Sequence, residues 1–204
     1  MKHDCLLIVF AKAPVPGYAK TRLARALGDE GAARLASRML GHTLEAAEAA
    51  ALGPVELCCA PDTTHPQFVL AQQQPGISLA SQGSGDLGER MARAIARGLD
   101  SHRAVLLIGT DAPGLDAGVL RYAAAALMSH DAVAGPASDG GYVLIGLSRP
   151  APGLFAGVAW STPDVMAQTR TRAAALGLNM FELPTLHDVD EPADLVHVPG
   201  GWLS

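Results

Sequence analysis

The sequence predicts a single α/β domain, residues 1–204, with a mixed and mostly parallel sheet flanked by helices. Short apolar runs alternate with segments of helical periodicity from one end of the chain to the other. Several runs, Val105-Leu106-Leu107-Ile108 above all, contain no polar residue, the pattern of a strand covered on both faces. One connection, between 136 and 142, is too short for a crossover helix and so predicts one antiparallel strand.

In chain order, a strand over 5–11 leads into Lys12-Ala13-Pro14-Val15-Pro16-Gly17-Tyr18-Ala19-Lys20-Thr21-Arg22. A helix over 29–51 follows, with Asp29 as its N-cap and Leu35, Met39, Leu40 and Leu44 on one face. Then come a strand at 55–60, a short helix opened by Pro66 and a weak strand at 77–80. Residues 82–90 open a helix to about 99, ahead of the central strand 104–108. Asp116 can cap a helix through 128, before a strand at 132–136. Ser138-Asp139-Gly140-Gly141 is turn chemistry, and 142–147 is the returning strand. Thr162 as N-cap and Pro163 at the first helical position start a helix ending before Gly177. A strand at 178–183, His187-Asp188-Val189-Asp190-Glu191-Pro192, a short helix and a tail complete the chain, and Trp202 is read as part of a frayed end, with an interface anchor as the alternative.

Composition narrows the function. A formal net charge of -5, with no basic stripe, argues against a nucleic-acid groove, so phosphate chemistry must rest on a few placed cations or a metal. The first residues are too few and unsuitably flanked for a signal peptide, and no apolar run approaches a membrane span; the expected location is the cytoplasm. Cys5, Cys58 and Cys59 fall in apolar runs, where adjacent cysteines point to opposite faces, so buried thiols are expected rather than a disulfide framework.

The chemistry is expected at the carboxyl ends of the strands, where sheets of this kind open their crevice. Asp111 stands there, just past the central strand and before Pro113. In the first loop two prolines stiffen the backbone, Gly17 lets amides approach a ligand, and Lys12, Lys20 and Arg22 suit a di- or triphosphate; the Walker spacing is absent. Asp188 and Asp190, two apart in an extended segment, face the same way. Carboxylates and phosphate-binding cations in one crevice are what a hard divalent ion, Mg²⁺ or Mn²⁺, requires, with Asp111 and Asp190 as ligands and Asp188 as a neighbour. A capping role for Asp188 or Asp190 is the alternative. Gly83 to Gly88 matches the G-x-G-x-x-G dinucleotide pattern, yet Asp86 would set negative charge against a pyrophosphate and the cationic first loop would go unused. Asp139-Gly140-Gly141-Tyr142 is either a plain hairpin turn or a means of placing a carboxylate and a ring near an acceptor.

Residues 10–17 and 20–23, Gly83 through Met91, Gly109-Thr110-Asp111-Ala112-Pro113, Ser138 through Tyr142, Trp160-Ser161-Thr162 and Asp188-Val189-Asp190-Glu191-Pro192 together resemble a bacterial family of small glycosyltransferase-like proteins. That family is provisionally described as nucleotide-diphospho-sugar transferases of the Rossmann-like glycosyltransferase-A fold. Glycosyltransferases of this fold hold a metal with Asp-x-Asp after the central strand, where this chain has one Asp, Asp111. The chain also resembles sugar-nucleotide and cofactor nucleotidylyltransferases, which have a Gly and Arg/Lys loop after the first strand, one Asp before Pro, and a late Asp-x-Asp-x-Pro-like segment. The matching positions are Gly17, Lys20 and Arg22, then Asp111, then Asp190; Pro14-Val15-Pro16-Gly17 stands where those enzymes have Gly-x-Gly-x-Arg.

The resemblance implies a Mg²⁺- or Mn²⁺-dependent transferase taking a nucleotide or nucleotide-sugar and a small-molecule acceptor. Glycosyl transfer is the first reading and nucleotidyl transfer the second. Asp111, Lys20, Arg22 and Asp139 are the candidate catalytic residues, Asp139 as base or acceptor orienter. Ala11, Lys12, Gly17, Lys20, Arg22, Gln82, Gly83, Gly85, Asp86 and Arg90 are the candidate nucleotide-binding residues, with base selectivity expected near 82–90.

Overall fold

The computed structural model describes residues 3–203; Met1, Lys2 and Ser204, which the sequence reading sets before the first strand and in the tail, lie outside them. Strands β1 (His3–Lys12), β2 (Val55–Ala60), β3 (Ile77–Ser81), β4 (His102–Ile108), β5 (Ala132–Pro136), β6 (Tyr142–Leu147) and β7 (Met180–Glu182) form one sheet in the order β3-β2-β1-β4-β6-β5-β7. Pairing is parallel at β1–β2, β2–β3, β1–β4 and β5–β7, and β6 runs antiparallel to both β4 and β5. The short connection from Ala137 to Gly141 therefore does what its length requires.

Helices α1 (Ala24–Ala50), α2 (Pro66–Ala71) and α4 (Ala117–Ala126) follow β1, β2 and β4, while α3 (Leu87–Ser101) and α5 (Val165–Ala175) cover the opposite face. The alternation of side chains along a strand splits the core into two layers. Leu7, Val9, Leu57, Cys59, Leu106 and Ile108 pack with Leu40 and Leu44 of α1 and Leu120 of α4. Leu6, Ile8, Cys58, Val105 and Leu107 pack with Met91, Ile95 and Leu99 of α3 and Met166 of α5. The three thiols are buried, and Cys58 and Cys59 fall in opposite layers as adjacent strand residues must.

Several boundaries differ from expectation. The helix after the first loop begins at Ala24 and is broken at Gly28 (φ 69, ψ 165), so Asp29 resumes the helix after a kink instead of capping it. Asp116 does cap α4, accepting from the Val119 amide at 2.9 Å. Thr162 and Pro163 lie in the turn before α5, whose first helical residue is Val165; the Thr162 hydroxyl accepts from the Asp164 amide at 3.4 Å. The last strand shortens to Met180–Glu182 and the terminal helix is a 3-10 segment, Pro192–His197.

The tail is docked. Trp202 meets the His42 ring edge-on at 5.1 Å and joins a third apolar cluster with Leu23, Leu35, Met39 and Val189, and Arg38 of α1 donates to the Gly201 carbonyl. Trp202 is thus an internal anchor where fraying was expected.

Candidate functional site

β1 hands the chain to β2 on one side while β4 flanks it on the other, so the loops leaving β1 and β4 diverge and open a crevice between them. The loop after β1 passes Gly17 (φ 72) and sets Lys20 in a left-handed conformation (φ 51) that costs a non-glycine residue about 1–2 kcal/mol. Its partners hold it there. The Lys20 ammonium donates to the Val189 carbonyl at 2.6 Å and to Asp190 Oδ1 at 2.9 Å, and forms an ion pair with Asp111 Oδ1. The Lys20 side chain is 7% exposed, against 44% for Asp111 and 39% for Asp190. Burial works against its charge, but the two carboxylates outweigh that and hold the ammonium above its ordinary pKa.

Asp111 and Asp190 come from loops 79 positions apart in the chain, yet they share one cation. The Val189 amide donates to the Asp111 carbonyl at 2.8 Å and stitches the two loops together. Val189 and Leu23, both fully buried in the third cluster, fix the backbone on either side of Lys20 and Asp190. Arg22 is exposed and pairs with Glu191 at 3.4 Å, so it too faces the Asp190 loop.

A second group adjoins the first. The chain from Leu186 extends the sheet alongside the end of β5, with a bridge to Ala137 and bonds from the Leu186 amide to the Pro136 carbonyl at 2.9 Å and from the Ser138 amide to the Leu186 carbonyl at 3.1 Å. This register sets Asp188 beside the Asp139 turn. Oxygens of Asp139, Asp188 and Asp190 lie within 4.8 Å of one another. Asp188 is buried and its carboxyl is pushed above the ordinary range, first by burial and then by the Asp139 and Asp190 charges, with the Ser138 hydroxyl at 3.2 Å partly offsetting them. Neither Asp188 nor Asp190 caps the last helical segment; Glu191 and Asp194 do so in a reciprocal capping box.

The donor set fits a hard divalent ion. Asp111 and Asp190 already converge on a single cation position, filled by Lys20 Nζ, and Asp190 also belongs to a second oxygen group, with Asp139 and Asp188, that does not include Asp111.

The residues expected near a base make these contacts within the fold. Gln82 is buried; its amide nitrogen donates to the carbonyls of Ala11 at 3.3 Å and Cys58 at 3.0 Å, and its oxygen accepts from Arg90 at 2.9 Å. It thereby ties the ends of β1 and β2 to α3. Asp86 is the N-cap of α3, in a capping box with Glu89. Gly83 and Gly85 follow the edge strand β3 and not β1, whose β-α turn is where a dinucleotide fingerprint belongs. Gly88 allows close packing: a Cβ there would lie 2.6 Å from the Phe155 carbonyl oxygen and 2.7 Å from the Trp160 ring. Lys12 is exposed. Asp139 is exposed, and one of its oxygens accepts from the Gly141 amide at 2.8 Å, an Asx turn. Tyr142 lies edge-on to Trp160 at 6.4 Å and packs with the α3 layer.

Residues 43–162 match the family described as "Uncharacterized protein conserved in bacteria (DUF2064)". The chain belongs to the DUF2064 family. No curated protein matches it. Among solved structures it is similar to a provisionally assigned nucleotide-diphospho-sugar transferase from Desulfovibrio desulfuricans G20, with 34% identity, 96% of this chain and 85% of that chain covered, and a TM-score of 0.85. It shares its fold with CMP:2-keto-3-deoxy-manno-octonic acid synthetase, solved with CTP, at 12% identity, 95% coverage of each chain and TM-score 0.57. It also shares its fold with a Mycobacterium tuberculosis H37Rv protein solved in complex with manganese, at 15% identity, 93% coverage of each and TM-score 0.55. The single-domain architecture with a seven-stranded mixed sheet is that of nucleotide-sugar transferases and nucleotidylyltransferases.

In this DUF2064 member, three contributors escaped sequence reasoning. His42 Nε2 lies 2.9 Å from the Pro113 carbonyl oxygen, behind Asp111, and Trp202 backs His42. Val189 carries no chemistry and yet sets the spacing of the two carboxylate loops. Its sequence signal was the apolar residue between Asp188 and Asp190, which in an extended segment points opposite to both.

Proposed function

We propose that this protein is a divalent-metal-dependent transferase acting on a nucleotide-activated substrate, in the first instance a nucleotide-diphospho-sugar (glycosyl) transferase. The observation that carries the proposal is the convergence of Asp111 and Asp190 on one cation position beside the loop after β1. The likeness to the Desulfovibrio protein, over nearly the whole chain, supports glycosyl transfer as the reaction.

Asp111 and Asp190 would hold a Mg²⁺ or Mn²⁺ ion, with Asp188 and Asp139 beside it. When bound, such an ion neutralises charge on the nucleotide's phosphates. The chain's own residues bind and orient. Lys20 and Arg22 offer positive charge from the first loop, and Gly17 lets backbone amides approach a phosphate. Asp139, exposed and with one oxygen outside its Asx turn, would orient an acceptor hydroxyl and take its proton as that oxygen bonds to the anomeric carbon, whose bond to the nucleoside diphosphate breaks so that the diphosphate leaves.

Nucleotidyl transfer is the second reading. It is favoured by the single Asp111 before the Asp190 loop, where glycosyltransferases of this fold use Asp-x-Asp, and by Lys20 set against both carboxylates. Lys20 and Arg22 would then stabilise charge developing on the transferred phosphoryl group.

The test is a calorimetry and thermal-shift panel of nucleoside triphosphates, nucleoside diphosphates and nucleotide-sugars with Mg²⁺, Mn²⁺ or EDTA, run on the natural chain and on Asp111→Asn. A metal-dependent preference for one nucleotide-sugar or its diphosphate supports glycosyl transfer, and preference for a triphosphate supports nucleotidyl transfer. Asp111→Asn is expected to remain folded and lose both the metal-dependent shift and turnover. Full metal-dependent turnover by Asp111→Asn would defeat both readings.

A further inference from the structure

Lys20 closes the metal position. Its ammonium sits between Asp111 and Asp190, with the Val189 carbonyl as a third partner, and its side chain is 7% exposed. A free divalent ion reaching those carboxylates would have to expel a buried ammonium from both of its charged partners, leaving it the uncharged Val189 carbonyl. Such a charge is costly to strand. A phosphate anion arriving with the ion removes that cost, because the expelled ammonium gains a new partner in the same crevice. Arg22, paired with Glu191 one residue beyond Asp190, stands beside it as a second cation for the same anion.

We infer that Lys20 is the resident counter-ion of the Asp111 and Asp190 pair, so that the site takes its metal ion together with nucleotide phosphates and not as a free ion. This rests on the metal-dependent reading of the site and adds the form of the ligand: a metal-chelated di- or triphosphate. The left-handed backbone at Lys20 agrees with it, since strain of this kind is held by the contacts around it and is released when they exchange.

The test uses Mn²⁺ alone and inorganic pyrophosphate as probes. Free Mn²⁺ is followed by electron paramagnetic resonance for the natural chain, Lys20→Met and Lys20→Gln, each checked for a cooperative melt; two neutral side chains of different polarity guard against one that does not fold. Both variants are expected to bind Mn²⁺ about tenfold or more tightly than the natural chain, because the competing charge is gone. In saturating Mn²⁺, pyrophosphate is expected to bind the natural chain about tenfold more tightly than either variant, because the released ammonium is among its partners. Adding Asp111→Asn to Lys20→Met should abolish the gain in Mn²⁺ affinity; a gain that survives puts the ion elsewhere and overturns the inference. Equal or weaker Mn²⁺ binding by the two Lys20 variants overturns it as well, as does equal pyrophosphate binding. If Mn²⁺ binds the natural chain and Asp111→Asn abolishes that binding, the metal reading stands whatever becomes of Lys20. If Mn²⁺ binds none of the forms, the metal reading fails and this inference with it.

Discussion

Replacing Gly140 with alanine tests how the Asp139 turn is held. Gly140 has φ +91, and a Cβ there would lie 2.1 Å from the Pro163 carbonyl oxygen and 2.7 Å from the Pro163 carbonyl carbon and Cα. All three are backbone atoms, so no side-chain rotation relieves the contact. The Gly140 carbonyl also accepts from the Met166 amide at 2.9 Å, which ties the turn to the start of α5. Left-handed strain for alanine costs about 1–2 kcal/mol and the overpacking about 1–3 kcal/mol. The sum, about 2–5 kcal/mol, corresponds to a fall in melting temperature of about 4–20 °C for a domain of this size. Gly177→Ala is the control: Gly177 has φ +62 with nothing within 4 Å of its Cβ, so only the strain of about 1–2 kcal/mol remains. Differential scanning fluorimetry and urea unfolding of both variants measure the difference. Because the turn carries Asp139, Gly140→Ala should also weaken binding of Mn²⁺ together with pyrophosphate, while Gly177→Ala should not. Equal melting temperatures for the two variants would refute the reasoning.

Asp188→Asn is expected to stabilise the ligand-free protein at pH 7 while weakening metal binding, because a buried carboxylate beside Asp139 and Asp190 is held ionised at a cost. An acid whose pKa is raised by folding penalises the folded state above that pKa, and the penalty lifts as pH falls through it toward the unfolded value; the melting-temperature advantage of Asp188→Asn should therefore shrink on acidification, and an advantage that grows would contradict the assignment. Cys58 and Cys59 should resist thiol reagents at pH 8 in the folded protein and react fully in denaturant, since burial together with the Glu56 charge pushes the Cys58 thiol up to about 11, and burial together with Cys58 pushes Cys59 up to about 12. Rapid native-state labelling of either would be the contrary result. Trp202→Ala should lower stability by about 1–3 kcal/mol by removing a large ring from the third cluster, read as a lower urea midpoint; an unchanged midpoint would return Trp202 to the frayed tail.

The alternation of apolar runs and amphipathic helices determined the layered α/β class, because a strand covered on both faces and a helix covered on one leave different periods in the sequence. The strands at 55–60, 132–136 and 142–147 are legible to the residue, and the short connection at 137–141 foretells the one antiparallel strand. Asp111, Asp190, Lys20, Asp139 and Asp188 could be singled out as chemistry-bearing residues at loop positions. What each of them meets is decided by packing between parts of the chain far apart in sequence. Lys20 looks in sequence like a solvated cation awaiting phosphate, yet the buried Leu23 and Val189 draw the Asp190 loop over it and make it the partner of two carboxylates. Gln82 and Asp86 look like ligand readers, yet β1, β2 and α3 claim their hydrogen bonds. A loop residue's sequence shows which polar groups it carries, but those groups are taken by whatever the core brings within about 3 Å, and that neighbourhood is set by long-range packing that no local pattern encodes.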